Sequence, residues 1–296
     1  MPSLEWDNFD EVAGRIVAWA LAEDASDSDV TTAALGRAAE RNNVCHAMAR
    51  EDLIVAGWPL VAMTYRLLTD TVTVRQTAPD GSRVGAGERI GAVLGKSGFL
   101  LRGERVALNL LCRLSGIATL TRMFVSAVEG TGVDILDTRK TTPCHRILER
   151  YAVRMGGGVN HRFNLASSAL IKDNHIAAAG GIENLSDIIE SLGAGASVEV
   201  EVDSLEQLDV VLPLRPDRIM LDNMSVESMV EAVGMNSKSE CYLEASGGVT
   251  LETVRSIAET GVNGISIGSL THSAPSRDIG FDWLLNSRER YDQAVD

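Results

Sequence analysis

Apolar positions recur along this chain in rhythms that change twice. In residues 9–24, "FDEVAGRIVAWALAED", Val12, Ile16 and Trp19 or Ala20 fall at helical spacing, and the polar stretch "ASDSDVTT" follows. From 44 to about 97 the pattern shortens: "TVTVRQT" alternates, "APDGSR" places Pro and Gly where a turn needs them, and "GERIGAVLGK" resumes the extended pattern. This segment reads as a small α+β unit. From Leu100, "LLRGERVALNLLCRLSGIATLTRMFVSAVEG" keeps apolar residues at i, i+3, i+4 and i+7 and predicts a long helix, with Gly116 as the point where it would break or bend.

Beyond that helix a third pattern repeats. "VDILDT", "SALIKDN", "SVEVEVDS", "RIMLDNMS", "YLEASGG" and "GISIGSLTHS" are each a short apolar strand ending on a polar or small residue and followed by helix-like sequence. The strand-end residues Asp137, Lys172, Glu201, Asp222, Ser246 and Gly268 lie 35, 29, 21, 24 and 22 residues apart. Such βα units predict an α/β fold, a parallel sheet with right-handed crossovers closed or nearly closed as a barrel. Sites in such barrels lie at the carboxyl ends of the strands, where these six residues would converge.

Composition narrows the function classes. The chain has 296 residues, 45% apolar and 4% aromatic, with a net charge of −14. That charge argues against docking on nucleic acid or an anionic membrane. The four cysteines form no C-x-x-C pair, so neither zinc nor a disulfide framework is expected, and a reducing cytoplasm fits. The acidic start is unlike a secretory signal, and "LIVAGWPLVAM" contains Pro and falls short of the roughly 20 residues a bilayer span needs. Against this acidic background, residues 138–172 carry seven Lys or Arg and one acid, Glu149. Arg146, Arg150 and Arg154 at i+4 spacing suit the solvated face of a helix. Arg139, Lys140 and Arg162 lie outside it and suit a small polyanion bearing carboxylate and phosphate.

Several residues carry more than one reading. "EASGGVTLETVRSIAETG" would aim backbone N–H groups and a helix N-terminus at a phosphate, or form a tight βα turn; "IGSLTHS" on the next strand favours the phosphate. Lys172 suits either a Schiff base or an anion-binding cation. Glu201 and Asp222 could bind Mg²⁺, hold sugar hydroxyls, oppose a cation forming in a transition state, or belong to structural ion pairs. His161, His175 and His272 lie at strand ends or beside basic residues, whereas His46 and His145 have no such context.

In order along the chain, "ALNLLCRLSGIATLT", "DTRKTTP", "GGGVNHR", "LIKDNH", "EVEVDS", "LDNMS", "EASGG" and "GSLTHS" closely resemble the quinolinate phosphoribosyltransferases. The resemblance implies the type II phosphoribosyltransferase architecture, an N-terminal α+β open sandwich (1–112, completed by the tail 275–296) and an incomplete parallel α/β barrel (113–274). It implies a homodimer and transfer from 5-phosphoribosyl 1-diphosphate (PRPP) to quinolinate with Mg²⁺, giving nicotinate mononucleotide, diphosphate and CO₂. By matching motif, Arg139, His161, Arg162 and Lys172 would hold the quinolinate carboxylates, joined by Arg105 from the partner subunit. Lys140 would face the diphosphate. Glu201 and Asp222 would engage ribose and Mg²⁺, and Thr138, Ser246, Gly247, Gly248, Gly268, Ser269 and His272 would complete substrate binding. One departure stands out: the family usually reads T-T-P-G-[LF]-R, and this chain has "TTPCHR", with Cys144 and His145 at a helix start. It reads as a packing variant or a change of pocket shape. The rival functions are a related phosphoribosyltransferase for another acidic heterocycle, a Schiff-base aldolase using Lys172, and a non-catalytic anion-binding module.

Overall fold

The computed structural model describes residues 8–193 and 195–283. They form two compact units. The first comprises the described residues up to Arg122, Thr141–Gly157, and those from Leu270 on; the second comprises Met123–Lys140 and Gly158–Ser269.

The first unit opens with helix α1 (Phe9–Glu23), whose buried stripe is Ala13, Ile16, Val17 and Leu21. Trp19 lies off that stripe and is 67% exposed, contrary to the spacing argument that grouped it with Ile16. Helix α2 (Val30–Ala34) is capped by Asp29, which accepts the N–H groups of Thr31 and Thr32. Strands β1 (Asn42–Ala49) and β2 (Leu53–Ile54), helix α3 (Trp58–Leu68), strands β3 (Thr73–Gln76), β4 (Arg83–Val84) and β5 (Arg89–Lys96), and the long helix α4 (Ser97–Ala127) follow. The predicted turn lies between β3 and β4, where Ser82 N–H reaches Pro79 O at 3.0 Å and Gly81 has φ +88°.

Helix α4 runs unbroken through Gly116. A Cβ there would stand 2.1 Å from Pro275 O, so the glycine permits close backbone approach and does not bend the helix. The helix runs from the first compact unit into the second, which takes it up after Arg122. Among the described residues α4 alone is long and apolar enough to cross a bilayer, and half of its most apolar window is buried within the protein.

The chain then builds the second unit with β6 (Asp134–Leu136), contributes α5 (Arg146–Met155) to the first, and continues through β7 (Ala169–Ile171), α6 (Asp173–Ala178), α7 (Leu185–Ser191), β8 (Val198–Val202), α8 (Leu205–Val211), β9 (Arg218–Asp222), α9 (Val226–Asn236), β10 (Tyr242–Ser246), α10 (Val254–Ala258) and β11 (Gly264–Ser266). These six strands form one parallel sheet in the order β6-β11-β10-β9-β8-β7. Every predicted βα strand is present, and the sheet has β6 and β7 as its edges. A single parallel bridge, Leu136 to Val159, adds to the β6 edge.

After α11 (Ser269–His272), β12 (Ile279–Trp283) pairs antiparallel with β1, giving a second sheet ordered β12-β1-β5-β3. Val93, Leu94, Tyr65, Leu100 and Leu111 are buried in this unit, which therefore has its own core. The rest of the expected tail, 284–296, lies outside the described residues. None of the four cysteines is in a disulfide.

Candidate active site

The basic stretch divides between the two units. Arg146, Arg150 and Arg154 lie on α5 in the first, and Arg150 is buried at 5% exposure, so that face is not simply solvated. The residues outside the helix go elsewhere. Thr138, Arg139, Lys140, Arg162 and Lys172 line a cavity of about 420 Å³ at the carboxyl ends of the barrel strands, together with Asp137, His161, Glu201, Asp222, Asn223 and Ser246–Gly248. Its size suits a small-molecule site.

Strand alternation explains who faces this cavity. In β8, "VEVEV", Glu199 and Glu201 share one face, as Met220 and Asp222 do in β9 and Glu244 and Ser246 in β10. Glu201, Asp222 and Ser246 form the layer at the strand ends. Lys172, just past β7, makes an ion pair with Glu201. Paired with a carboxylate at the mouth of the cavity, this amine suits an anion-binding cation. His175, three residues on, accepts the Lys172 N–H at 3.0 Å and caps α6. Asp222 accepts from the Asn223 amide at 2.8 Å.

The segment that carries His161 and Arg162 is pinned by Asp137, which is fully buried. Asp137 accepts the His161 N–H at 2.8 Å and the Asn160 side-chain amide. Arg162 reaches Ser168 O at 2.9 Å. Burial and the neighbouring Arg139 guanidinium lower its affinity for its proton, and Glu199 partly restores it. Two guanidinium groups placed to repel each other favour an anion between them. His161 lies over two carboxylates, with Nε2 3.0 Å from Glu199 and 3.4 Å from Glu244. Burial, the largest influence, opposes a second proton on the ring and both carboxylates favour one, but the Arg162 N–H directed at Nδ1 needs the lone pair there and holds the ring neutral, with its one proton on Nε2.

Gly247 has φ +97°, and a Cβ there would sit 2.2 Å from Asn223 Oδ1, so this turn requires glycine. The helix expected directly after the Gly pair begins only at Val254 and has five residues. Residues 249–253 intervene without regular helix, with turns at 251–253, so any anion held here meets the Gly247–Gly248 backbone and not a helix end. Gly268, Ser269 and His272 do not line the cavity; the His272 ring hydrogen-bonds to Ser273 at 2.6 Å. Arg105 lines a different cavity, of about 610 Å³, in the first unit, with Asn109, Arg113, His145 and Glu149.

Asp137, expected at the strand ends, serves there as an anchor, and two residues were absent from the expected site: Glu199 and Glu244 beneath the cavity. Their signal was the period-2 pattern. A carboxylate two residues before a strand-end carboxylate or serine must share its inward face.

Known proteins resemble this chain over both units. Residues 29–115 match the family model "Quinolinate phosphoribosyl transferase, N-terminal domain", and 117–282 match the corresponding C-terminal domain. A probable nicotinate-nucleotide pyrophosphorylase (carboxylating) of Bacillus subtilis is 41% identical over 266 residues, 90% of this chain and 91% of that protein. The Mycobacterium leprae nicotinate-nucleotide pyrophosphorylase (carboxylating) is 43% identical over 237 residues, 79% of this chain and 84% of its own length. Among solved structures, the nicotinate-nucleotide pyrophosphorylase of Francisella tularensis superposes with a TM-score of 0.88 at 33% identity, covering 93% of this chain and 97% of that one. With both domains matched in order and relatives aligned over most of their length, the chain belongs to the quinolinate phosphoribosyltransferase family, enzymes of the pentosyltransferase class.

Proposed function

We propose that this enzyme transfers the phosphoribosyl group of PRPP to quinolinate with loss of CO₂, giving nicotinate mononucleotide and diphosphate for NAD synthesis. The observation that carries this reading is the lining of one cavity by Arg139, Arg162 and Lys172 together with Glu201 and Asp222. The cations match a dicarboxylate; the carboxylates match a ribose whose C1 becomes cationic.

The chemistry follows from these placements. Arg139, Arg162 and Lys172 hold the acid so that its ring nitrogen faces C1 of the ribose. As the C1–O bond to diphosphate breaks, positive charge grows on C1 and Glu201 stabilises it. Lys172, now drawn to the substrate, frees Glu201 from their ion pair for that task. Lys140 balances the departing diphosphate, and Thr138 with the Ser246–Gly248 turn holds the 5-phosphate. The nitrogen attacks C1, the cationic ring then stabilises the electron pair left on C2 as the 2-carboxylate departs as CO₂, and a proton from solvent completes that carbon.

Glu201 and Asp222 offer the oxygen donors that Mg²⁺ prefers, and they are the residues that would hold it. When bound, Mg²⁺ supplies charge neutralisation for the diphosphate. We place Arg105 of the partner subunit in the same site within a cytoplasmic homodimer, completing the set of cations for the dianion.

The test is stoichiometric. With Mg²⁺, PRPP and quinolinate labelled in the 2-carboxylate, one labelled CO₂ is expected for each diphosphate released. Diphosphate without CO₂ would mean that PRPP is cleaved without the coupled decarboxylation, against quinolinate as the substrate, and neither product would point to an anion-binding module.

A further inference from the structure

Below the layer that meets the substrates, the barrel interior holds charges that the proposed reaction does not use. Glu199 and Glu244 are 3% and 0% exposed, and both approach His161 Nε2. Glu244 also accepts from Ser266 Oγ and lies 3.4 Å from Arg218 Nη1. Two carboxylates buried this deeply are costly unless each is paired, and here each pairs with the same imidazole.

One histidine and two glutamates with ligand atoms within 4.8 Å of one another have the composition of a divalent-metal site. The other ring nitrogen argues otherwise. A metal on Nε2 needs the lone pair there, and the ring then carries its proton on Nδ1 and donates it. In this structure Nδ1 accepts the Arg162 N–H at 2.8 Å. The lone pair is therefore on Nδ1, and Nε2 carries a proton aimed between the carboxylates.

We propose that Glu199 and Glu244 are positioning residues for the acid substrate: they hold His161 through its Nε2 proton, and His161 in turn fixes the Arg162 backbone through Nδ1. The chain of contacts runs from the buried carboxylates through the imidazole to the Arg162 peptide, whose guanidinium lines the cavity. Asp137 fixes the same segment from the other side through the His161 N–H. His161 thus acts from within the wall of the site, with both ring nitrogens turned to the protein. The inference rests on reading the cavity as the site for a dicarboxylate.

Two measurements test it. In the wild-type protein labelled with ¹⁵N-histidine, the His161 ring should carry a proton on Nε2 and none on Nδ1 at neutral pH; a proton on Nδ1 overturns the proposal. In steady-state kinetics, Glu199→Met and Glu244→Met remove the acceptors at nearly constant volume. The KM for the acid should rise about tenfold or more, with kcat and the KM for PRPP changed less than about twofold. Glu199→Gln keeps an oxygen acceptor and should recover most of the affinity. Added to Arg162→Ala, Glu199→Met should cost little more, because its effect passes through Arg162. Fully additive losses, or equal losses for both substrates, contradict the proposal. If wild type fails to turn over quinolinate while Nε2 is protonated, the substrate reading is at fault and the clamp stands.

Discussion

Cys144 shows how a single residue records a constraint that its neighbours do not. It has φ 66°, in the left-handed region that glycine occupies without strain, and it is exposed just before α5. The glycine of the usual family motif is thereby explained: the turn needs that backbone conformation, whatever the side chain does. Cys144→Gly is expected to stabilise the protein by up to about 1 kcal/mol in chemical denaturation, and Cys144→Val to destabilise it by at least as much. A loss on replacement by glycine would mean that the thiol makes a contact worth more than the strain. At the cavity, Arg139→Ala and Arg162→Ala should chiefly raise the KM for the acid, while Glu201→Ala should chiefly lower kcat, since only Glu201 meets charge that develops during the reaction. Near-normal kinetics for all three would remove the proposed site. Lys172, Glu201 and Asp222 were legible in the sequence because each ends an apolar strand. Glu199 and Glu244 were not, because a carboxylate inside a strand reads as solvent-facing until the register shows which face is enclosed.

At the scale of elements, the pattern predicted all six βα strands and the long helix but misjudged how Gly116 acts and where α10 begins. Gly116 lies inside a continuous α4, where propensity alone favours alanine by about 1 kcal/mol. A Cβ would meet the Pro275 carbonyl at 2.1 Å, so Gly116→Ala is expected to destabilise by about 1–3 kcal/mol despite the gain in propensity. A thermal or urea midpoint above wild type would show that the 275 segment can retreat freely. Local periodicity had no access to this, since the constraint comes from a strand connection some 160 residues away in sequence. The delayed start of α10 is a different case: the Gly and β-branched residues of "GGVTLETV" are poor helix formers, turns occupy 251–253, and the regular helix starts only at Val254.

For the whole molecule, β12 joins β1 in the first unit's sheet, and Glu51 ties the approach to it by accepting from the Asp278 N–H at 2.9 Å and Arg277 at 2.7 Å. Those bonds hold the Glu51 carboxyl below its ordinary pKa of 4.5. A depressed folded pKa contributes stability above the unfolded value and loses it as pH falls through the folded one. Glu51→Gln should therefore be less stable than wild type at pH 7, with the difference vanishing on acidification below about 4.5. A difference independent of pH would assign the effect to packing. The proposed homodimer is checked by mixing. Arg105→Ala and Lys172→Ala proteins should each be nearly inactive, and free subunit exchange should restore roughly a quarter of wild-type activity, because about half the dimers then hold one intact site of two. Most directly, the account rests on a cavity built for two carboxylates, and the decisive measurement is kcat/KM for quinolinate and for nicotinate with saturating PRPP and Mg²⁺. Quinolinate is expected to be preferred on the order of a hundredfold or more, because nicotinate brings one carboxylate to the Arg139, Arg162 and Lys172 set where quinolinate brings two. Equal use of the two acids would contradict it.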